Sequence, residues 1–248
     1  MKQLCLAVLA LVSVAACNRR PATNAAAPAN ATAAATNAAN AAAAAAPAAP
    51  NPKLAQIFTP DVIGSNVAFL ETITGPAFRT DGPLLTYKVG GCTVLVGQTN
   101  GKIDNIGIDG YGGACSFPIA QYFAGGYDHP VPQLPTFGDI SKGFGGTFAA
   151  DCLKLCGNAA DPVVSLNYQG SHADNFNNLY AAVTIGADGP ALNAYGDWGD
   201  KLVAKHGEAY VANGEYASDD SLQDVAAADF AKVPPTIIRV GQNLPGAD

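Results

Sequence analysis

The chain is 248 residues long and carries 13 lysines and arginines against 20 aspartates and glutamates, a formal net charge of −7. Lys2, Arg19 and Arg20 are the only charged residues before position 53, which leaves 10 basic and 20 acidic residues beyond it, a net of −10. That balance excludes charge-driven binding of nucleic acid and suits a basic envelope or host protein as partner, while the length is ample for a real core.

At the N-terminus, Lys2 precedes an uncharged run from Leu4 to Ala16. The run falls short of the about 20 apolar residues that span a bilayer, so residues 1–17 read as a signal peptide. Val14, Ala15 and Ala16 before Cys17 resemble the lipobox of bacterial lipoproteins, whose cysteine is acylated and becomes the new N-terminus. The resemblance implies palmitate on Cys17 and a lipid-anchored protein of the bacterial cell envelope. Asn18, where an aspartate would favour inner-membrane retention, implies the outer membrane, facing the periplasm.

Residues 18–52 are almost entirely Ala, Asn, Pro and Thr, with no aromatic and no acid. Such a segment buries too little surface to offset its ordering entropy, which predicts a disordered tether spanning about 30 Å as a flexible coil.

The remainder, 53–248, reads as one globular α+β domain: an antiparallel sheet with helices on one face. A first unit over about 60–120 opens with an apolar-periodic helix in "GSNVAFLETITGPA" (64–77), then the strands "LLTYKV" and "CTVLVGQTNGKIDNIGID". Asn100-Gly101 predicts a type I′ hairpin. Val94 and Val96 alternate, as do Ile106 and Ile108, and Ile103 is out of phase with them, which predicts a bulge.

A Pro/Gly-rich connector, 125–138, leads to a second unit over about 137–188. There "GTFAADCLKLCGNA" (146–159) aligns without gaps on 64–77, and reads as a helix capped by Thr147, opposite Ser65, and stopped by Gly157, opposite Gly75. Strands "PVVSLNYQGS" and "NNLYAAVTIG" follow, so the domain reads as two helix-hairpin repeats with C-terminal helices and a strand over 189–248. One helix places Leu192, Tyr195, Trp198 and Leu202 on one face. Another starts near Ser218 with Leu222, Val225 and Phe230 inward, and Pro234-Pro235 precede the last strand, "TIIRVG".

The Gly-Ser/Thr helix ending in Gly-Pro or Gly-Asn, followed by strands, resembles the repeat unit of the β-lactamase inhibitor protein fold and of small outer-membrane assembly lipoproteins. "FGDISKGFGGTFAADCLKLCGNAADP" (137–162) carries the pattern most clearly, with a hydrophobic-x-x-Gly lead before the helix, although the methionine usual after the lead glycine is missing. As a whole the domain resembles those of uncharacterised bacterial lipoproteins.

Cys5 leaves with the leader and Cys17 takes lipid, so Cys92, Cys115, Cys152 and Cys156 remain, with three connectivities open. The hairpin between the first two favours Cys92–Cys115, and a helical four-residue spacing favours Cys152–Cys156. Three residues between the latter two do not make a redox motif, and four cysteines with three scattered histidines do not make a zinc site.

Chemistry is sparse. No nucleophile elbow, zinc-protease, Walker or EF-hand motif occurs, and no metal or other cofactor is implied. Trp198, Tyr111, Tyr122 and Tyr127 read as core or groove-lining residues, His129 as a turn residue, and His206 as a cation at a helix C-terminus. His172 and Asp174 in "GSHADN" are the one local cluster, and neighbours this close in sequence seldom form a catalytic set. The reading that results is a non-catalytic protein-binding module or inhibitor with no catalytic residue, and the alternative is a periplasmic hydrolase with a site near His172.

Overall fold

A computed structural model describes residues 51–123, 129–154, 156, 161–212 and 222–245. Cys17 and the leader lie outside the described residues, as do Tyr127, Gly157 and Ser218.

Eight strands form one antiparallel sheet: β1 (Arg79–Asp81), β2 (Leu84–Val89), β3 (Cys92–Thr99), β4 (Lys102–Asp109), β5 (Thr147–Ala150), β6 (Val163–Tyr168), β7 (Asn178–Thr184) and β8 (Ile237–Gly241). Their spatial order is β1-β2-β3-β4-β8-β7-β6-β5. Six α-helices accompany them among the described residues: α1 (Pro52–Ile57), α2 (Val67–Thr74), α3 (Phe137–Phe144), α4 (Pro190–His206), α5 (Glu208–Ala212) and α6 (Gln223–Asp229). The α+β class and antiparallel sheet are those read from the sequence.

Strand alternation sorts the side chains. Tyr87, Val94, Ile108, Ile238, Ala181, Leu166 and Phe148 pair across successive strands on one face. They join Leu54, Ile57, Leu70, Phe137, Ile140, Trp198 and Leu202 of the helices in one buried cluster. At about 25 cal/mol per Å² of apolar surface, this layer is the main favourable term in the fold. The Asn100-Gly101 turn has both residues at positive φ, 52° and 76°, as a type I′ turn requires. Gly97 pairs with Asn105 and Gln98 with Ile103, so Asp104 is the extra residue of a bulge.

Residues 146–154 depart from the helix expected over 146–159. Thr147–Ala150 is strand β5, and Cys152 and Cys156 sit beyond it outside any helix. The helix lies earlier, over Phe137–Phe144, so the lead is itself helical. Its N-cap is Thr136, whose hydroxyl accepts from Asp139 N while Asp139 Oδ2 accepts from Thr136 N, a capping box. Gly145, at φ 80°, ends it as Gly75, at φ 79°, ends α2. The cap of α2 is Asn66, not Ser65. Over the described residues 146–154, the second segment therefore differs in conformation from its aligned partner in 64–77, and there the gapless alignment does not pair like with like.

Pairing explains why 147–150 is extended. Phe148 enters the core, and Asp151 Oδ1 accepts from Val163 N at the end of the β5–β6 ladder. The outer edge of β5 is blocked by α6: Gln223 Oε1 accepts from Phe148 N and its Nε2 donates to Phe148 O, which leaves that edge no free template.

The disulfides join Cys92 to Cys115 and Cys152 to Cys156. No helix among the described residues is long and apolar enough to cross a membrane.

Candidate functional site

The second face of the sheet carries the site. By register it presents Leu84, Leu95, Asn105, Arg239, Tyr180 and Ser165. Leu84, Leu95, Tyr180, Ile237 and Val163 are half-buried. Its charges among the described residues include an Arg79–Asp81 ion pair, Lys88, Asp109, Arg239 and, at the β4 bulge, Asp104, so these groups leave the face close to neutral.

Small residues shape its middle. A Cβ on Gly107 would come within 2.4 Å of Arg239 Cγ and 2.3 Å of Ile238 O, so the Arg239 stem occupies the space that any side chain at 107 would need. A Cβ on Gly97 would meet the Asn105 amide at 2.4 Å, so Asn105 lies over Gly97 in the same way. Arg239 Nη2 donates to Asn105 Oδ1, and Asn105 Nδ2 donates to the carbonyls of Gln242 and Asn243 at 2.8 and 3.2 Å. The tail after β8 thus folds back over this end of the face.

The result is a cavity of about 360 Å³ whose lining includes Gly97, Asn105 and Arg239, with Leu84, Leu244 and Pro245 among its apolar walls. Arg239 is only 8% exposed, and its Nε is buried without a protein acceptor. No carboxylate among the described residues forms an ion pair with it. Burial lowers its pKa from the ordinary arginine value, opposed by Tyr180. A guanidinium stays protonated even so, so the site holds a desolvated cation with donors to spare.

A larger hollow, about 630 Å³, opens at the start of β4 beside Lys102, Gln121 and Asn177. Asn177 donates to Tyr122 O at 3.2 Å.

The residues singled out from the sequence occupy other places. Asp174 is buried and accepts from Ser171 Oγ and Tyr168 Oη at 3.1 and 3.3 Å. It closes the first turn of a 3₁₀ helix over His172–Asp174. His172 is exposed, with its ring 5.0 Å from that of Phe176. The pair belongs to a capped turn, and Asp174 is committed to holding it. His206 ends α4 and stacks on Tyr210, and His129 is exposed. Trp198, Tyr111 and Tyr122 are buried in the core. No group of three or more His, Cys, Asp or Glu side chains among the described residues is placed to hold a metal.

Sequence reasoning missed Arg239 and Asn105. The available signal was an arginine inside the β-branched run "TIIRVG", with glycine breaking the alternation of two other strands at Gly97 and Gly107.

Compared with known protein families, curated proteins and solved structures, the chain matches none.

Proposed function

We propose that this chain is a lipid-anchored envelope protein that binds another protein through the open face of its sheet and performs no chemistry itself. The observation that carries the reading is that face: half-buried Leu84, Leu95, Tyr180, Val163 and Ile237 surround a glycine-floored centre. An apolar surround with few charges at its core is the composition of a protein interface. The near-neutral balance of the face means that a basic partner would be steered by the rest of the molecule, not by this surface.

The topology supports a tandem duplication of a different register from the one read in the sequence. A glycine-ended helix precedes a four-stranded antiparallel set in each half: α2 before β1–β4, and α3 before β5–β8, with α4–α6 inserted before β8.

The reading is tested by placing a photo-crosslinking amino acid at Leu95 or Tyr180, or at exposed Ala204 on α4 as control, in the full chain expressed in a bacterial envelope. Saturable adducts to a protein from 95 and 180 and none from 204 are expected. Adducts from 204 alone, or from no position, would remove the open face as the interface.

Anchoring has its own test. The Cys17→Ser chain is expected to lose all incorporation of labelled palmitate and to leave the membrane fraction, because acyl chains supply the anchoring energy at about 0.8 kcal/mol per methylene.

A further inference from the structure

We infer that the Arg239 cavity is a binding seat for a monocarboxylate flanked by apolar atoms. The inference rests on the open face being the working surface, and it names the chemistry received there.

Three observations converge. The first is the cation: Arg239 is more than nine-tenths buried, with no ion-pair partner among the described residues and with Nε lacking a protein acceptor. Asn105 is its only hydrogen-bond acceptor among the described residues, against five N–H donors on a guanidinium. A buried charge without a counter-charge is costly to the fold, so a group that supplies the missing anion gains both a charge-assisted bond and relief of that cost. The planar donor array matches a carboxylate.

The second is the mould around it. Gly107 lets the arginine stem lie flat, Gly97 lets Asn105 lie beneath its partner, and the Gln242 and Asn243 carbonyls hold the Asn105 amide so that Oδ1 faces Nη2. The guanidinium is therefore fixed in orientation before any ligand arrives, which lowers the entropy lost on binding.

The third is selectivity. Asp104 also lines the cavity, with its Oδ2 taking the Thr99 hydroxyl at 2.6 Å. The Asp104 carboxylate repels an incoming anion in proportion to its charge, which disfavours a dianion such as phosphate more than a monocarboxylate. Pro83, Leu84, Leu244 and Pro245 on the walls favour a carboxylate carried on carbon over a hydrated inorganic ion. A free organic acid and an acidic side chain of a bound protein both supply this group, and the two are separable by experiment.

The full chain in detergent micelles is titrated with benzoate, with benzamide as the neutral control, with inorganic phosphate, and with acetyl-Leu-Glu-amide against acetyl-Leu-Gln-amide. The chain has four arginines, Arg19, Arg20, Arg79 and Arg239, so the Arg239 Nε–Hε signal can be assigned by substitution and followed directly in the unmutated protein. A saturable shift of that signal with benzoate is expected, and none with benzamide. In R239M the benzoate affinity is expected to fall at least about tenfold, the scale of a lost charge-assisted pair, and in R239K by less than in R239M.

Saturation by benzoate and the Glu peptide alike identifies the seat with a free acid as a sufficient occupant. Saturation by the Glu peptide alone identifies it with a protein side chain. No shift of the Arg239 signal with any carboxylate, an equal shift with phosphate or benzamide, or unchanged benzoate affinity in a folded R239M would overturn the inference. Cross-linking from Leu95 and Tyr180 reads the protein-binding role separately: adducts that persist where carboxylates fail to bind leave that role standing without this anchor.

Discussion

Replacing Phe148 with alanine is expected to destabilise the fold by about 4 kcal/mol, within the range for truncating a fully buried aromatic. Phe148 is 1% exposed, and its ring centroid lies 5.8 Å from Phe137, 5.9 Å from Phe230 and 6.4 Å from Trp198. Phe137 opens α3, Trp198 lies in α4 and Phe230 is the C-cap of α6, so removing the Phe148 ring opens a cavity walled by three separate elements and the sheet, and such a wall cannot collapse cheaply. A urea unfolding series checks it: the midpoint should fall with little change in slope. Phe78→Ala, at an exposed ring, should stay within about 0.5 kcal/mol of the parent. A cost under about 1 kcal/mol at Phe148 would mean that β5 does not enter the core as described.

Phe148 also marks where the sequence misleads. "TFAADCLKLC" has the composition of a helix, and intrinsic propensity is a prior of only a few tenths of a kcal/mol per residue. Pairing with β6 and burial of one phenyl ring outweigh it. The neighbouring "FGDISKGF" looks poor as a helix because of its two glycines, yet each is there for space. A Cβ on Gly138 would sit 2.5 Å from Ala231 O, and one on Gly143 would sit 2.4 Å from Val131 Cγ2. The local sign of that helix was its Thr136/Asp139 capping box, which depends on residues three apart and needs no tertiary context. By contrast, α4 and the Asn100-Gly101 hairpin were readable because their patterns are long or their turn chemistry strict.

The candidate site was hidden for a related reason. The β-branched run around Arg239 marks a strand but does not say which face of it is covered. The burial of Arg239 is set by Gly107 on β4 and by the tail that Asn105 holds, and β8 reaches β4 only after the whole second half has intervened. His172 and Asp174 drew notice because they are adjacent in sequence. Adjacency instead made them partners in a single turn, where a carboxylate caps backbone and hydroxyl donors.

Removing the Cys92–Cys115 bond as a Cys92→Ala/Cys115→Ala pair is expected to cost about 3 kcal/mol, from the loop-closure relation applied to a 23-residue separation. The same relation gives about 2 kcal/mol for Cys152–Cys156, separated by 4, so the order of the two double variants is itself a test. Denaturant midpoints measured with and without reductant check both, and reduced parent protein should match the variant lacking both bonds. Cys92 starts β3, paired with Val89, whereas Gly97 and Asn105 face each other farther along the β3–β4 ladder. The bond therefore braces the end of the sheet away from the Arg239 cavity, and its loss should lower the unfolding midpoint while leaving carboxylate affinity at Arg239 unchanged. If both fell together, the cavity would depend on the rigidity of the whole first half and not on its own glycines and asparagine.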